Sequence, residues 1–244
     1  MVTPPPHPLL SVVIPAYNEE KYLRRTLESL APALAALEIP TETIVADDAS
    51  TDTTAELAEG AGARVVRCEH RQISRTRNSG AAQARADHLL FLDADTLVTP
   101  EVVAAARRLL QAGAVGGGCR IEADGAIPVS MRVALVFWNR LSRMARWAAG
   151  GFFFCRADAF REIGGFPEDL YASEEITLSR QLRRWGRGRG RDFVILRERV
   201  LTSPRKVHLY SPTEVLRLLA RVALRGPGSL RSRDAASIWY DGRR

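Results

Sequence analysis

The sequence predicts an α/β domain, a mostly parallel central sheet flanked by helices, with a helical C-terminal extension. Three observations predict it. Over residues 9–122, short apolar runs alternate with amphipathic stretches long enough to serve as crossover helices. Helix-start and helix-stop residues punctuate that alternation: Asn18 and Ser50 stand where N-caps belong, and Gly60, Gly62 and Gly113 where helices end. With 46% hydrophobic and 26% charged residues over 244 positions, the chain can bury a core and is not disordered as a whole.

The elements follow in order. Residues 1–8 are proline-rich and read as a flexible segment, with no basic residue ahead of an apolar run as a signal peptide requires. Apolar strands are expected at 9–15, 43–47, 64–68 and 88–93, and helices at 19–37, 51–60, 73–86 and 100–112, so residues 9–112 form one half of the domain. Past Gly113 the alternation fails, and the cluster Gly116, Gly117 and Gly118 reads as a break. A helix at 129–149, an apolar run at 151–155, a helix near 156–163, a turn at 164–167, a helix at 174–185 and a strand at 193–196 make residues 113–210 the second half. Residues 211–244 form a basic tail with one helix at 212–224.

Composition narrows the function classes. No stretch approaches the roughly 18 unbroken apolar residues of a membrane span, so a cytoplasmic location is expected. Cys68, Cys119 and Cys155 are odd in number and scattered, which disfavours a disulfide framework or a zinc knuckle. The formal charge is +7 and almost all of the positive charge is arginine, since only Lys21 and Lys206 are lysine. Such a balance permits contact with phosphates or an anionic membrane.

Four motifs carry the chemistry. The first strand ends in VVIPAYNEE, where Pro15 and Asn18 make a loop without the glycine pattern of a dinucleotide fold or P-loop. Asp47 and Asp48 end the second strand; Ser50 and Asp52 after them suit a helix cap, which leaves the pair itself unexplained. The segment FLDADT places Asp93 and Asp95 at the end of another strand, where the two-residue period of extended chain points both acids to one side. Two such acids suit Mg²⁺ or Mn²⁺, although acids at strand ends are also common loop starters. Glu174 and Glu175 open a helix; the stripe Leu178, Leu182 and Trp185 turns Glu175 inward, and adjacent helical residues do not share a face.

Taken together, SVVIPAYNEEKYLRRTLESL, IVADDASTDTT, RTRNSGAAQARADHLLFLDADT and GGFPEDLYASEEITLSRQLRRWG resemble, in that order, the family 2 glycosyltransferases of the GT-A fold, from about Leu9 to Gly186. The resemblance implies a nucleotide-sugar donor, with Pro15, Ala16, Tyr17 and Glu19 at the nucleotide, Asp47 and Asp48 at a uracil base, and Arg77 beside them. It also implies Asp93 near the ribose and the metal, Asp95 on Mn²⁺ or Mg²⁺, and Glu175 as general base with Glu174 next in line. Gly150, Gly151, Arg156, Gly165 and Phe166 are expected to shape the sugar and acceptor pocket, and His208 to reach the metal. The Glu-Glu pair departs from the family's commoner Glu-Asp. Without a cation, each pairing of an acid with a diphosphate charge about 4 Å away costs about 4 kcal/mol at an effective dielectric of 20.

The implied reaction is inverting transfer of a sugar from a UDP-sugar to an acceptor hydroxyl, compatible with a lipid-linked acceptor. Two other readings compete. The segment FLDADTL also resembles the DxDxT of haloacid-dehalogenase-like phosphatases, which place it on the first strand and need a downstream lysine. The arginine-rich stretches at 180–191 and 217–233 fit a non-catalytic module on the cytoplasmic face of a membrane, and the tail's apolar face of Val215, Leu216, Leu219, Val222 and Ala223 fits peripheral attachment. The aromatic residue among those arginines, Trp185, lies on the core stripe of its helix and reads as packing, which leaves no run of stacking platforms, so nucleic acid is not an expected partner.

Overall fold

The structure, a computed structural model, describes residues 7–148 and 151–205. Gly150, Lys206, His208 and the expected tail helix and membrane-binding face lie outside the described residues. In chain order the elements are β1 (Leu10–Ala16), α1 (Glu20–Ala35), β2 (Thr41–Asp48), α2 (Thr54–Gly60), β3 (Arg64–Cys68), α3 (Ile73–Ala82), β4 (His88–Leu92), β5 (Thr96–Leu97), α4 (Pro100–Gln111), β6 (Gly116–Ala123), α5 (Val129–Ala145), β7 (Phe152–Arg156), α6 (Ala157–Glu162), α7 (Glu174–Arg187) and β8 (Phe193–Thr202). Among the described residues the strands form one sheet of order β3-β2-β1-β4-β7-β6-β8-β5. The β3-β2-β1-β4 portion is parallel, β7 runs antiparallel to β4 and β6, and β6 pairs in parallel with β8.

Alternation along the strands divides the core between the two faces of this sheet. Val12 and Ile14 pack with Leu23, Leu27 and Leu30 of α1 and Val102 and Val103 of α4. Val13 points the other way, joining Ala81 of α3, Phe160 of α6 and Leu178 and Leu182 of α7. Phe152 and Phe154 serve the first face and Phe153 the second, where it meets Phe91, Phe166 and Phe193 edge-on or tilted. The order reversal between β1 and β4 opens a crevice at their carboxyl ends, where ligands of open α/β sheets bind. Backbone pairing shapes that crevice: β1 follows β2 as far as Ala16 but β4 only as far as Val13. Pro15, which has no amide hydrogen, sits where the second ladder has already ended.

Three expectations change. The glycine cluster 116–118 belongs to β6 and is no break. A Cβ on Gly116 would lie 2.5 Å from the Phe154 carbonyl oxygen, and one on Gly117 would collide with the Val194 carbonyl. Close approach of β7 and β8 therefore requires glycine, and low strand propensity hides the element from the sequence. Asn18 and Ser50 do not cap helices. Ser50 Oγ accepts the Asn18 amide hydrogen at 2.9 Å and Asn18 Oδ1 accepts that of Thr51 at 2.7 Å, which stitches the loop after β1 to the loop after β2. Finally, β8 continues to Thr202, well past the expected strand end at residue 196, because it pairs along both β6 and β5.

Candidate active site at the carboxyl edge of the sheet

Asp48, Asp93, Asp95 and the start of α7 all gather on the carboxyl rim. Asp48 ends β2; its Oδ1 accepts the His70 amide hydrogen and its Oδ2 accepts that of Thr76 Oγ1 at 3.0 Å. Asp47 is buried beside it, with Oδ1 accepting the Ser50 amide at 3.2 Å and Oδ2 without a hydrogen-bond partner. Tyr17, on the loop after β1, carries the Arg71 guanidinium 3.9 Å above its ring.

Next to Thr76, Arg77 organises the centre. The helical position reads as a solvated face, yet Arg77 is 2% exposed. Its Nη2 donates to Asp93 at 2.7 Å, and its Nη1 donates to Glu174 at 2.9 Å and to Glu175 at 3.1 Å. Arg77 is therefore a buried hub joining α3, the end of β4 and α7. The three carboxylates hold its guanidinium charged despite burial. The expectation that at most one of Glu174 and Glu175 reaches a given atom also fails. Helical side chains tilt toward the N-terminus, so first-turn residues converge off the end of the helix. Ser173, left-handed at φ 65°, sets that end. Burial first, and then Glu175, push the Glu174 carboxyl well above the usual carboxylate range against the pull of Arg77.

Asp93 and Asp95 do not point to one side. The chain leaves β4 at Leu92 and turns, with the Thr96 amide donating to the Asp93 carbonyl at 3.1 Å, so the extended period ends before the motif begins. Asp93 turns to the face of α3 and α7, while Asp95 turns to that of α1. There Arg205, just past β8, binds Asp95 through Nε at 3.1 Å and clasps both Glu19 carboxylate oxygens at 2.7 Å, its guanidinium 4.8 Å from the centre of the Tyr22 ring. Glu19 is thus held by Arg205 at the edge of the rim. A cavity of about 270 Å³ opens beside this pair, lined by Tyr22, Arg25, Thr26, Asp95, Asp124 and Arg205 among others. Nothing local in the sequence announces the pairing of Arg205 with Glu19, 186 positions away.

The pocket-forming expectations divide. Gly151 belongs to the rim: its carbonyl accepts the Asp93 amide hydrogen at 3.0 Å, and a Cβ there would lie 2.9 Å from Asp93 Cβ. Arg156 does not. It pairs with His88 at the far end of β4, about 17 Å of strand from Asp93, and forms an ion pair with Asp158 at 2.7 Å. Phe166 is buried in the aromatic cluster and Gly165 packs against Asn78 Oδ1, so both support the site from below rather than line it.

Among the described residues no three His, Cys, Asp or Glu side chains converge as a ready-made metal cage. Asp95 and Asp93 nevertheless offer hard oxygen donors, and Mg²⁺-like ions commonly take one or two carboxylates and complete their shell from substrate phosphates and water. These residues fit a cation that arrives with a diphosphate. Arg77 and Arg205 also change the electrostatics, because each already neutralises part of the acidic rim.

The model of glycosyl transferase family 2 matches residues 11–163. Validoxylamine A glucosyltransferase of Streptomyces hygroscopicus subsp. jinggangensis is 42% identical over 103 residues, 39% of this chain and 24% of that protein, so the match spans about a quarter of the relative's length. Among solved structures, the Pyrobaculum calidifontis mannosyltransferase PcManGT in complex with GDP-Man and Mn²⁺ aligns with TM-score 0.64 and 18% identity, covering 94% of this chain and 64% of that one. Glucosyl-3-phosphoglycerate synthase of Mycobacterium tuberculosis, in complex with Mn²⁺, UDP and glucosyl-3-phosphoglycerate, aligns with TM-score 0.58 and 20% identity, covering 91% and 80%. The curled mixed sheet, the acidic rim at its order reversal and the family match over residues 11–163 agree: the chain has the GT-A fold and belongs to glycosyl transferase family 2.

Proposed function

We propose that this protein transfers a sugar from a nucleotide diphosphate donor, a UDP-sugar, to an acceptor hydroxyl with inversion, using a divalent cation. The observation that carries this reading is the buried guanidinium of Arg77, which draws Asp93 of the donor rim and both glutamates of α7 to one point. A donor laid across the β1/β4 crevice would meet Pro15, Ala16 and Tyr17 on one side and Asp47, Asp48 and Asp93 on the other. Asp95, with Asp93 nearby, would hold Mn²⁺ or Mg²⁺, which when bound offsets the charge of the departing nucleoside diphosphate.

The chain's own residues supply the rest. Three carboxylates face one cation, an arrangement that favours retention of a proton by one of them. Glu174 is the most enclosed, with its side chain 5% exposed against 13% for Glu175, and burial raises it. Glu175 then takes the acceptor proton, held in place by Arg77 Nη1. The test is a pair of measurements on the full chain. Asp95→Ala should lose metal-dependent stabilisation by UDP, while Glu175→Gln should keep that stabilisation and lose sugar transfer. Retained transfer in Glu175→Gln would move the base elsewhere, and UDP stabilisation indifferent to chelator would remove the cation.

A further inference from the structure

The large exposed apolar side chains of the described residues all lie on one helix. Along α5, Val129 is 73% exposed, Val133 64%, Val136 50%, Phe137 66% and Met144 85%. Their spacing of four, three, one and seven residues places them on one stripe. The opposite side is fastened to the domain: Asn139 exchanges two hydrogen bonds with the Ile121 backbone, at 3.0 and 2.9 Å, and Ser142 donates to the Trp147 carbonyl at 2.6 Å. The stripe is therefore presented by a helix anchored to the domain through its C-terminal half.

The charges on α5 have one sign. Residues 125–157 contain no Asp or Glu, while Arg132, Arg140, Arg143 and Arg146 lie in or just after α5, all exposed. The C-terminal end of α5 abuts a second basic group on α7. Arg183 donates to the Ala145 carbonyl at 2.6 Å, Arg180 lies 4.8 Å over the Trp147 ring, and Arg180, Arg183, Arg184 and Arg187 line one shallow surface. Burial, followed by the like charges of Arg187, Arg146 and Arg180, weakens the hold of Arg183 on its proton, which shows how closely these cations crowd. Asp192 pairs with Arg146 at 3.1 Å.

We propose that α5 and the arginine face of α7 form a docking surface for an anionic lipid bilayer. Val133, Phe137 and their neighbours would enter the acyl boundary while the arginines meet headgroup phosphates. The combination identifies the occupant. An exposed aliphatic and aromatic stripe needs an apolar phase, which a nucleic acid does not offer, and a dense cationic rim needs an anionic one. A second copy docked stripe to stripe would bring the same arginines against each other. This surface is independent of the transfer reaction proposed above, and its test needs no turnover.

The experiment is co-sedimentation of the full chain with phosphatidylcholine vesicles, with and without phosphatidylglycerol. Binding is expected only with the anionic lipid and should weaken as salt rises. The double substitution Val133→Asp/Phe137→Asp, on exposed positions, should lower vesicle affinity by at least about tenfold, since burying either side chain is worth that much. Phe137→Leu should retain binding, and Arg180→Glu/Arg184→Glu should lose it. Absence of binding by the unmodified chain would overturn the proposal. So would equal binding by the double aspartate variant, or a change from dimer to monomer in that variant by light scattering.

Discussion

Replacing Arg77 with methionine tests the centre of the site. The side chain is 3% exposed and its partners Asp93, Glu174 and Glu175 are 28%, 5% and 13% exposed, so solvent screens the interaction little. Removing one partner of a buried ion pair costs about 3–5 kcal/mol because the remaining charge has no compensation. For a domain of this size each kcal/mol shifts the melting temperature by about 2–4 °C, so Arg77→Met should melt about 6–20 °C lower. Arg77→Lys should recover little, because a single ammonium cannot replace two guanidinium nitrogens directed at different carboxylates. The deficit must also depend on pH. Without the cation the stranded carboxylates bind protons more tightly folded than unfolded, so their contribution is lost as pH rises, and the gap from the native chain should be smaller at pH 5 than at pH 8. Urea denaturation at both values measures this. A loss below about 1 kcal/mol, or the same loss at both, would refute the hub.

The remaining predictions concern single residues. Glu174 is raised in the fold, so its contribution is present at acid pH and declines above the unfolded carboxyl value near 4.3, at most by about 1.4 kcal/mol per pH unit. Glu174→Gln should therefore flatten the stability profile between pH 5 and 8, and parallel profiles would contradict the assignment. Arg205→Ala leaves Glu19 and Asp95, each 10% exposed, facing one another; in chelator it should lose roughly 2–3 kcal/mol, and Mn²⁺ without nucleotide should stabilise it more than the native chain in a thermal-shift assay. Gly117→Ala should cost about 2 kcal/mol or more by driving a methyl into the Val194 carbonyl, and a denaturation midpoint equal to the parent's would show that β6 and β8 can move apart.

Much of the first half of the fold was legible because β1, β4 and the end of β2 are parallel and buried on both faces, so they appear as plain apolar runs between amphipathic helices. β6 was not, since its glycines answer to neighbours that the local pattern does not contain. The site was legible as a set of acids at strand and helix ends and illegible as a network. An arginine on a helix looks solvated until its partner 97 positions later is brought to it. Arg156 was misplaced for a related reason: nothing local announces that β7 runs against β4 and carries residue 156 to the opposite edge. The expected convergence of Asp93 and Asp95 assumed extended chain, and the turn that follows Leu92 sends them to different arginines.

The early end of the β1/β4 ladder has a consequence for how such a protein can vary. Because β1 keeps its partner β2 while parting from β4 at Val13, the floor of the slot between them is a gap in the main-chain pairing. Pro15 stands beyond that fork like a zipper stop. Sequence drift in the surrounding loops can retune what the slot admits, while the slot itself persists as long as the sheet does.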